Sequence, residues 1–172
     1  MAFDSDSAAN LSCGLYKTIA PLPDREDEVA AGLLVYFHNH SVQGPPLLLL
    51  PWRNVNNKWQ FHERGYLITD AAYLATLEAL RREGFYRLRE PFHPKVDQIV
   101  DHNALVQLGY NRQAEPILFF PTLHPTANSL VFPNKGVKIA LSVCELLEPI
   151  DLRGPHTPEP TVPVPDDPPT YH

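Results

Sequence analysis

Apolar residues in this chain come in short runs separated by Gly, Pro, Asn and acidic clusters, without the sustained three-and-four spacing of long amphipathic helices. Leu33 to Asn39 and Leu105 to Asn111 are rich in aromatic and branched residues and predict strands. Leu47 to Leu50 and Ile117 to Phe120 are apolar on both faces and predict buried strands. Pro46 and Pro51 bracket the first run and Pro116 and Pro121 the second, which keeps the missing amide at the strand margins. Lys58 to His62 and Ser129 to Phe132 follow as further strands, and Gly65 or Gly136 opens another that ends at Ile68 or Ile139. A helix comes next. Thr69 or Asp70 can cap it, Tyr73, Leu74, Leu77 and Leu80 form its apolar stripe, and Gly84 can end it in the left-handed conformation. In the second half Ser142 and Glu145 have capping-box spacing, and Pro149 stops a helix of about two turns.

These elements occur twice. Gly14-Leu15-Tyr16-Lys17 with Pro21 returns as Gly84-Phe85-Tyr86-Arg87 with Pro91. Pro46, Leu48 and Pro51 return as Pro116, Leu118 and Pro121, Phe61, Gly65 and Ile68 as Phe132, Gly136 and Ile139, and Leu77 and Glu78 as Leu147 and Glu148. The displacement stays near 70 residues, and the shared letters are glycines, prolines and apolar residues that dictate backbone shape. The expectation is a mainly β protein with minor α: two tandem SH3-like or OB-like β-barrel units related by internal duplication, each with five strands and one short helix. Residues 1–13 form a leader, 14–83 the first unit, 84–153 the second, and 154–172 a tail. The tail holds seven prolines, three acids and no Lys or Arg in nineteen residues, a composition suited to an extended polyproline arm.

Composition narrows the functional classes. With 172 residues the chain can build one ordinary domain or two small ones. The net charge of −6 repels a phosphate backbone and so disfavours sequence-independent nucleic-acid binding. Arg81, Arg82, Arg87 and Arg89 form the only dense cationic stretch, interrupted by Glu83 and Glu90, and read as a solvated segment. Cys13 and Cys144 fit no metal or redox spacing and are read as free thiols. No apolar run approaches the roughly 20 residues of a membrane helix, and the acidic amino terminus lacks a secretory pattern, so the expected location is the cytoplasm, or a virion if the chain is phage-encoded.

Candidate chemistry is sought where the two halves differ. His38 and His40, two positions apart on a strand, share a face and can offer two imidazole nitrogens to a divalent metal, with His62, Glu63 or Asp70 as a third ligand; the simpler reading is a polar strand end. The stretch Trp52 to Trp59 frames an amide-rich loop, in which Trp52, Arg53 and Asn56 can form a platform for a ligand or a partner side chain. Trp59 alternates in phase with Phe61 and reads as core, leaving Trp52 exposed. The acidic loop Asp24, Glu26, Asp27 and Glu28 lacks the glycine and spacing of a calcium loop. Asp97, Asp101 and His102 can form an acid–base set, but no nucleophile elbow, phosphate loop, zincin or dinucleotide motif accompanies them.

The reading that follows is a non-enzymatic binding or assembly protein without a cofactor, working through contacts with protein partners or with itself, as a structural, decoration or adaptor subunit of a homo-oligomer or hetero-assembly. The alternatives are a metal-binding protein or metal-dependent enzyme centred on His38 and His40, and a small-ligand or single-stranded nucleic-acid module using the Trp52–Trp59 loop.

Overall fold

The computed structural model describes residues 11–39 and 44–152. Its first half contains β1 (Gly14–Thr18), β2 (Leu34–His38), β3 (Leu47–Leu49), β4 (Pro51–Val55), β5 (Lys58–Phe61), β6 (Tyr66–Leu67), helix α1 (Ala71–Leu74) and β7 (Leu77–Ala79). The second half contains β8 (Gly84–Leu88), β9 (Phe92–Lys95), β10 (Gln98–Val100), β11 (Leu105–Tyr110), β12 (Pro116–Phe119), β13 (Thr122–Leu123), β14 (Leu130–Val131), β15 (Val137–Lys138), a 3₁₀ helix (Leu141–Leu146) and β16 (Leu147–Pro149). The protein is therefore mainly β, and no helix among the described residues is long and apolar enough to cross a membrane.

Two antiparallel five-stranded sheets carry the fold, in the orders β6-β3-β2-β1-β7 and β15-β12-β11-β8-β16. Their registers correspond. Tyr16, Lys17 and Thr18 pair with Ala79, Glu78 and Leu77, while Tyr86, Arg87 and Leu88 pair with Pro149, Glu148 and Leu147. Phe37 lies opposite Leu48, and Leu108 opposite Leu118. The Tyr16 hydroxyl donates to the Ser12 carbonyl, and the Tyr86 hydroxyl to the Arg82 carbonyl, each four residues back.

Neither sheet closes into the expected barrel. Closure needs the two edge strands to pair in a staggered register. Here the edges β6 and β15 are two residues long, and the chain after β3 or β12 leaves the sheet at Pro51 or Phe120-Pro121 to form a separate two-stranded hairpin, β4–β5 or β13–β14.

The expected first helix is also shorter. Asp70 does cap it, its carboxylate accepting from the Ala72 amide at 2.8 Å, but α1 is a single turn and Leu77 already belongs to a strand. The reason is competition: Leu77 to Ala79 satisfy their backbone groups by pairing with β1, which also buries Leu77. Gly84 accordingly opens β8 and caps no helix. In the second half the 3₁₀ helix starts after Ala140 without a side-chain cap, so Ser142 and Glu145 form no capping box, and Pro149 lies within β16.

Each sheet has its own core. Tyr16, Val35, Phe37, Leu48, Ile68, Tyr73 and Leu74 fill the first, and Tyr86, Leu88, Val106, Leu108, Leu118 and Leu147 the second. Strand β2 serves both, because alternation turns Val35 and Phe37 into its own core while Leu34 and Tyr36 pack with the second. A backbone bond from the Leu34 amide to the Arg112 carbonyl, 2.8 Å, fixes this contact.

Candidate functional site

The polar chemistry of the molecule gathers where hairpin β4–β5 meets β11. The hairpin turns at Asn56-Asn57, whose φ values of 52° and 64° are both left-handed, as a two-residue turn matching the twist of its strands requires. Asn57 donates through its side chain to Gln107 Oε1 (2.9 Å) and to the Pro133 carbonyl (3.1 Å), and Gln107 returns a bond to the Asn56 carbonyl at 2.8 Å. Gly109 sits beneath the turn. A Cβ there would lie 2.6 Å from the Asn57 carbonyl oxygen, so only glycine allows this approach.

Trp59 anchors the same hairpin. Its indole N–H donates to the Tyr110 carbonyl at 2.7 Å, and the Arg112 guanidinium lies 5.0 Å over its ring while also donating to the carbonyls of Pro51 and Trp52. The Trp59 amide donates to Glu83 Oε2 at 3.0 Å. Glu83 is buried, and its other oxygen, Oε1, has no hydrogen-bond partner. Burial pushes its carboxyl up to about 7, against the opposing pull of the Trp59 and Tyr110 amides and of Lys58. Three of the four buried polar residues among those described, Asn57, Glu83 and Gln107, thus belong to this junction.

The expected platform is divided by this arrangement. Trp52 is 53% exposed, with the Arg53 guanidinium 4.7 Å over its ring and the His62 ring 6.2 Å away. It borders an open depression of about 550 Å³ lined also by Gln60, Phe61, His62, Glu63 and Arg64. Asn56 stands at the far end of the hairpin, its carbonyl engaged by Gln107, so Trp52 and Arg53 share a surface that Asn56 does not. A bulge after Pro51 makes Trp52 the extra residue of its strand: Arg53 pairs with Gln60 and Asn54 with Trp59.

The other candidates are placed as follows. His38 ends β2 opposite Leu47, whereas His40 lies outside the described residues. Asp70 caps α1, and no group of three or more His, Cys, Asp or Glu among the described residues is arranged to hold a metal ion. Arg87 pairs with Glu148 through two bonds of 2.9 Å, Arg81 reaches the Leu147 carbonyl, and Arg89 reaches the Glu145 carbonyl, so three of the four arginines of the cationic stretch are engaged within the fold, while Arg82 is exposed. In the acidic loop Glu28 accepts from the Tyr66 hydroxyl at 2.6 Å and pairs with Arg25, and these contacts hold its carboxyl below the usual range. Asp97 lies in the turn between β9 and β10, and Asp101 and His102 follow in the next turn, all exposed. Both cysteines are free, Cys13 half-buried and Cys144 buried.

Sequence reasoning missed Glu83, Gln107, Tyr110 and Arg112. The Asn-Asn pair flanked by Val55 and Lys58 was the one local signal for the turn, since asparagine tolerates the left-handed conformation. The partners have no such signal.

The second hairpin differs from the first in what covers it. In β13–β14, Thr122 pairs with Val131 and Leu123 with Leu130, and Leu123 and Leu130 stand where Asn54 and Trp59 stand in β4–β5. Leu123, Leu130 and Val131 are all exposed. Comparison with protein-family models, curated proteins and solved structures finds no match to this chain.

Proposed function

We propose that this chain is a non-enzymatic binding or assembly protein that acts through protein–protein contacts, as a structural or adaptor subunit of a larger assembly. The observation that carries this reading is the distribution of exposed apolar side chains. Five of the eleven large exposed hydrophobic residues among those described, Val96, Ile99, Leu123, Leu130 and Val131, lie on the two short hairpins β9–β10 and β13–β14. Neighbouring exposed apolar side chains, such as the paired Leu123 and Leu130, mark contact surfaces, whereas singly scattered ones need no explanation.

The two halves are read as tandem copies of one unit. Their common strand order, corresponding register and matching tyrosine-to-carbonyl bonds favour this origin. In that reading the first copy has spent its hairpin on the contact between the halves, and the second copy keeps its own for a partner.

Native mass spectrometry of the chain isolated from its own cells tests the function. Recovery as a homo-oligomer or in a defined complex with a macromolecular partner supports it. A monomer carrying one stoichiometric divalent ion refutes it and makes His38 and His40 the residues to substitute.

A further inference from the structure

The second hairpin carries an unusual surface for so acidic a chain. Residues 116–134 contain no Asp, Glu, Lys or Arg, on a chain whose net charge is −6. The equivalent stretch of the first half carries Arg53, Lys58 and Glu63. Leu123, Leu130 and Val131 are 67%, 52% and 45% exposed, although each lies in a regular cross-strand pair.

Resting on the assembly reading above, we propose that hairpin β13–β14 is a self-association surface, through which two copies of this chain pack face to face about a twofold axis. The first argument is internal precedent. The corresponding hairpin β4–β5 is seated on the other half of the same chain through Trp59, in the place of Leu130, so an element of this shape already makes a packed contact through this position. The second is continuity. A groove joins the two hairpins, lined by Asn56 and Asn57 of the first and by Leu130, Val131 and Phe132 of the second, with the Phe85 and Phe132 rings tilted at 56° and 5.2 Å apart. A body seated on β13–β14 therefore extends the contact already made by β4–β5.

Charge decides between partners. A twofold contact sets one patch against the same patch of the other copy, so a patch of uniform charge would repel itself, whereas a neutral apolar patch is self-complementary. Two copies carrying −6 each meet most easily where neither carries charge. Pro121, Pro125 and Pro133 flank the strands and remove amide donors from their edges, which opposes open-ended strand addition and favours a closed pair made by side chains. The hairpin face is small beside the roughly 800 Å² per partner of stable dimers, so the association is weak and concentration-dependent.

Sedimentation equilibrium of the purified chain from about 10 µM to about 500 µM tests this, a range that covers association free energies of about 4.5 to 7 kcal/mol. The expected result is a reversible monomer–dimer equilibrium. Leu130→Glu and Leu123→Glu should each weaken it at least tenfold, while Leu67→Glu, an equally exposed leucine of the first half, should leave it unchanged. Circular dichroism should show all three folded. As an independent readout, Leu130→Cys in a Cys13→Ser background should give a disulfide-linked dimer on oxidation, and Leu67→Cys in the same background should not. A wild-type chain that remains monomeric throughout overturns the proposal, as does a dimer insensitive to Leu130→Glu. If that monomer sediments with zwitterionic lipid vesicles, a lipid surface is the occupant instead. A monomeric purified chain that still enters a defined complex with another macromolecule sinks self-association alone and leaves the assembly function standing.

Discussion

Glu83→Gln isolates the least ordinary group in the structure. The carboxyl is buried between the Trp59 amide of hairpin β4–β5 and the Tyr110 amide of β11, with the charge of Lys58 acting on it, and burial raises its pKa from 4.5 to about 7. Because the folded form holds the proton more tightly than the unfolded form, wild-type stability contains a contribution that is complete below pH 4.5. It falls as pH rises through about 7 and is lost above that. The gap corresponds to about 3 kcal/mol. Glutamine has nearly the same shape, and its carbonyl can still accept from the Trp59 amide. It does not ionise, but it leaves about one amide N–H without a partner, at a cost of about 1 kcal/mol. The variant should therefore be about 1 kcal/mol less stable than wild type at pH 4.5 and about 2 kcal/mol more stable at pH 8.5.

Urea unfolding followed by tryptophan fluorescence at half-unit steps between these limits measures the difference, since Trp59 sits at the junction itself. Taking wild type minus variant removes the titration of the eight histidines common to both. A difference that stays constant across the range, or one that favours wild type increasingly with pH, would falsify the account of Glu83 as a buried carboxyl whose ionisation strains the junction.

Other substitutions probe the same contact and the sheets. Trp59→Phe keeps a ring under Arg112 but leaves the Tyr110 carbonyl without its indole donor, so chemical denaturation should show a loss of about 1 kcal/mol, with no change for Trp52→Phe. Gly109→Ala pushes a methyl group against the Asn57 carbonyl and should lift the turn from β11, seen as faster amide exchange at Asn57 and Gln107 while the core of the first sheet stays protected. Gly136→Ala places its Cβ 2.5 Å from the Leu118 carbonyl, inside the β12–β15 pairing, and should lower the melting temperature more than Gly44→Ala, where the added methyl group meets nothing.

Much of the fold is written locally. Proline brackets located β3 and β12, runs of aromatic and branched residues located β2 and β11, and glycines marked β6 and β15, because each of these signals acts within a few residues of the strand it defines. The stretch from Tyr73 to Leu80 shows the limit of that reading. Its apolar spacing suits one face of a helix, yet Leu77 to Ala79 form a strand, since pairing with β1 offers their backbone groups partners that helix propensity cannot outweigh. The phase of Trp59 with Phe61 correctly pointed inward, but it could not say that inward meant the other half of the molecule.

Sequence by itself thus determined that the protein is mainly β and that Trp52 faces solvent while Trp59 turns inward. Tertiary structure alone decided that the sheets stay open, that β4–β5 closes onto the second half while Leu123, Leu130 and Val131 of β13–β14 stay exposed among the described residues, and that Glu83 is buried at the β4–β5 junction. The physical reason is range. Strand and turn preferences are set by neighbouring residues, whereas the bonds of the junction join partners 24 to 76 positions apart, and only chain folding brings those together.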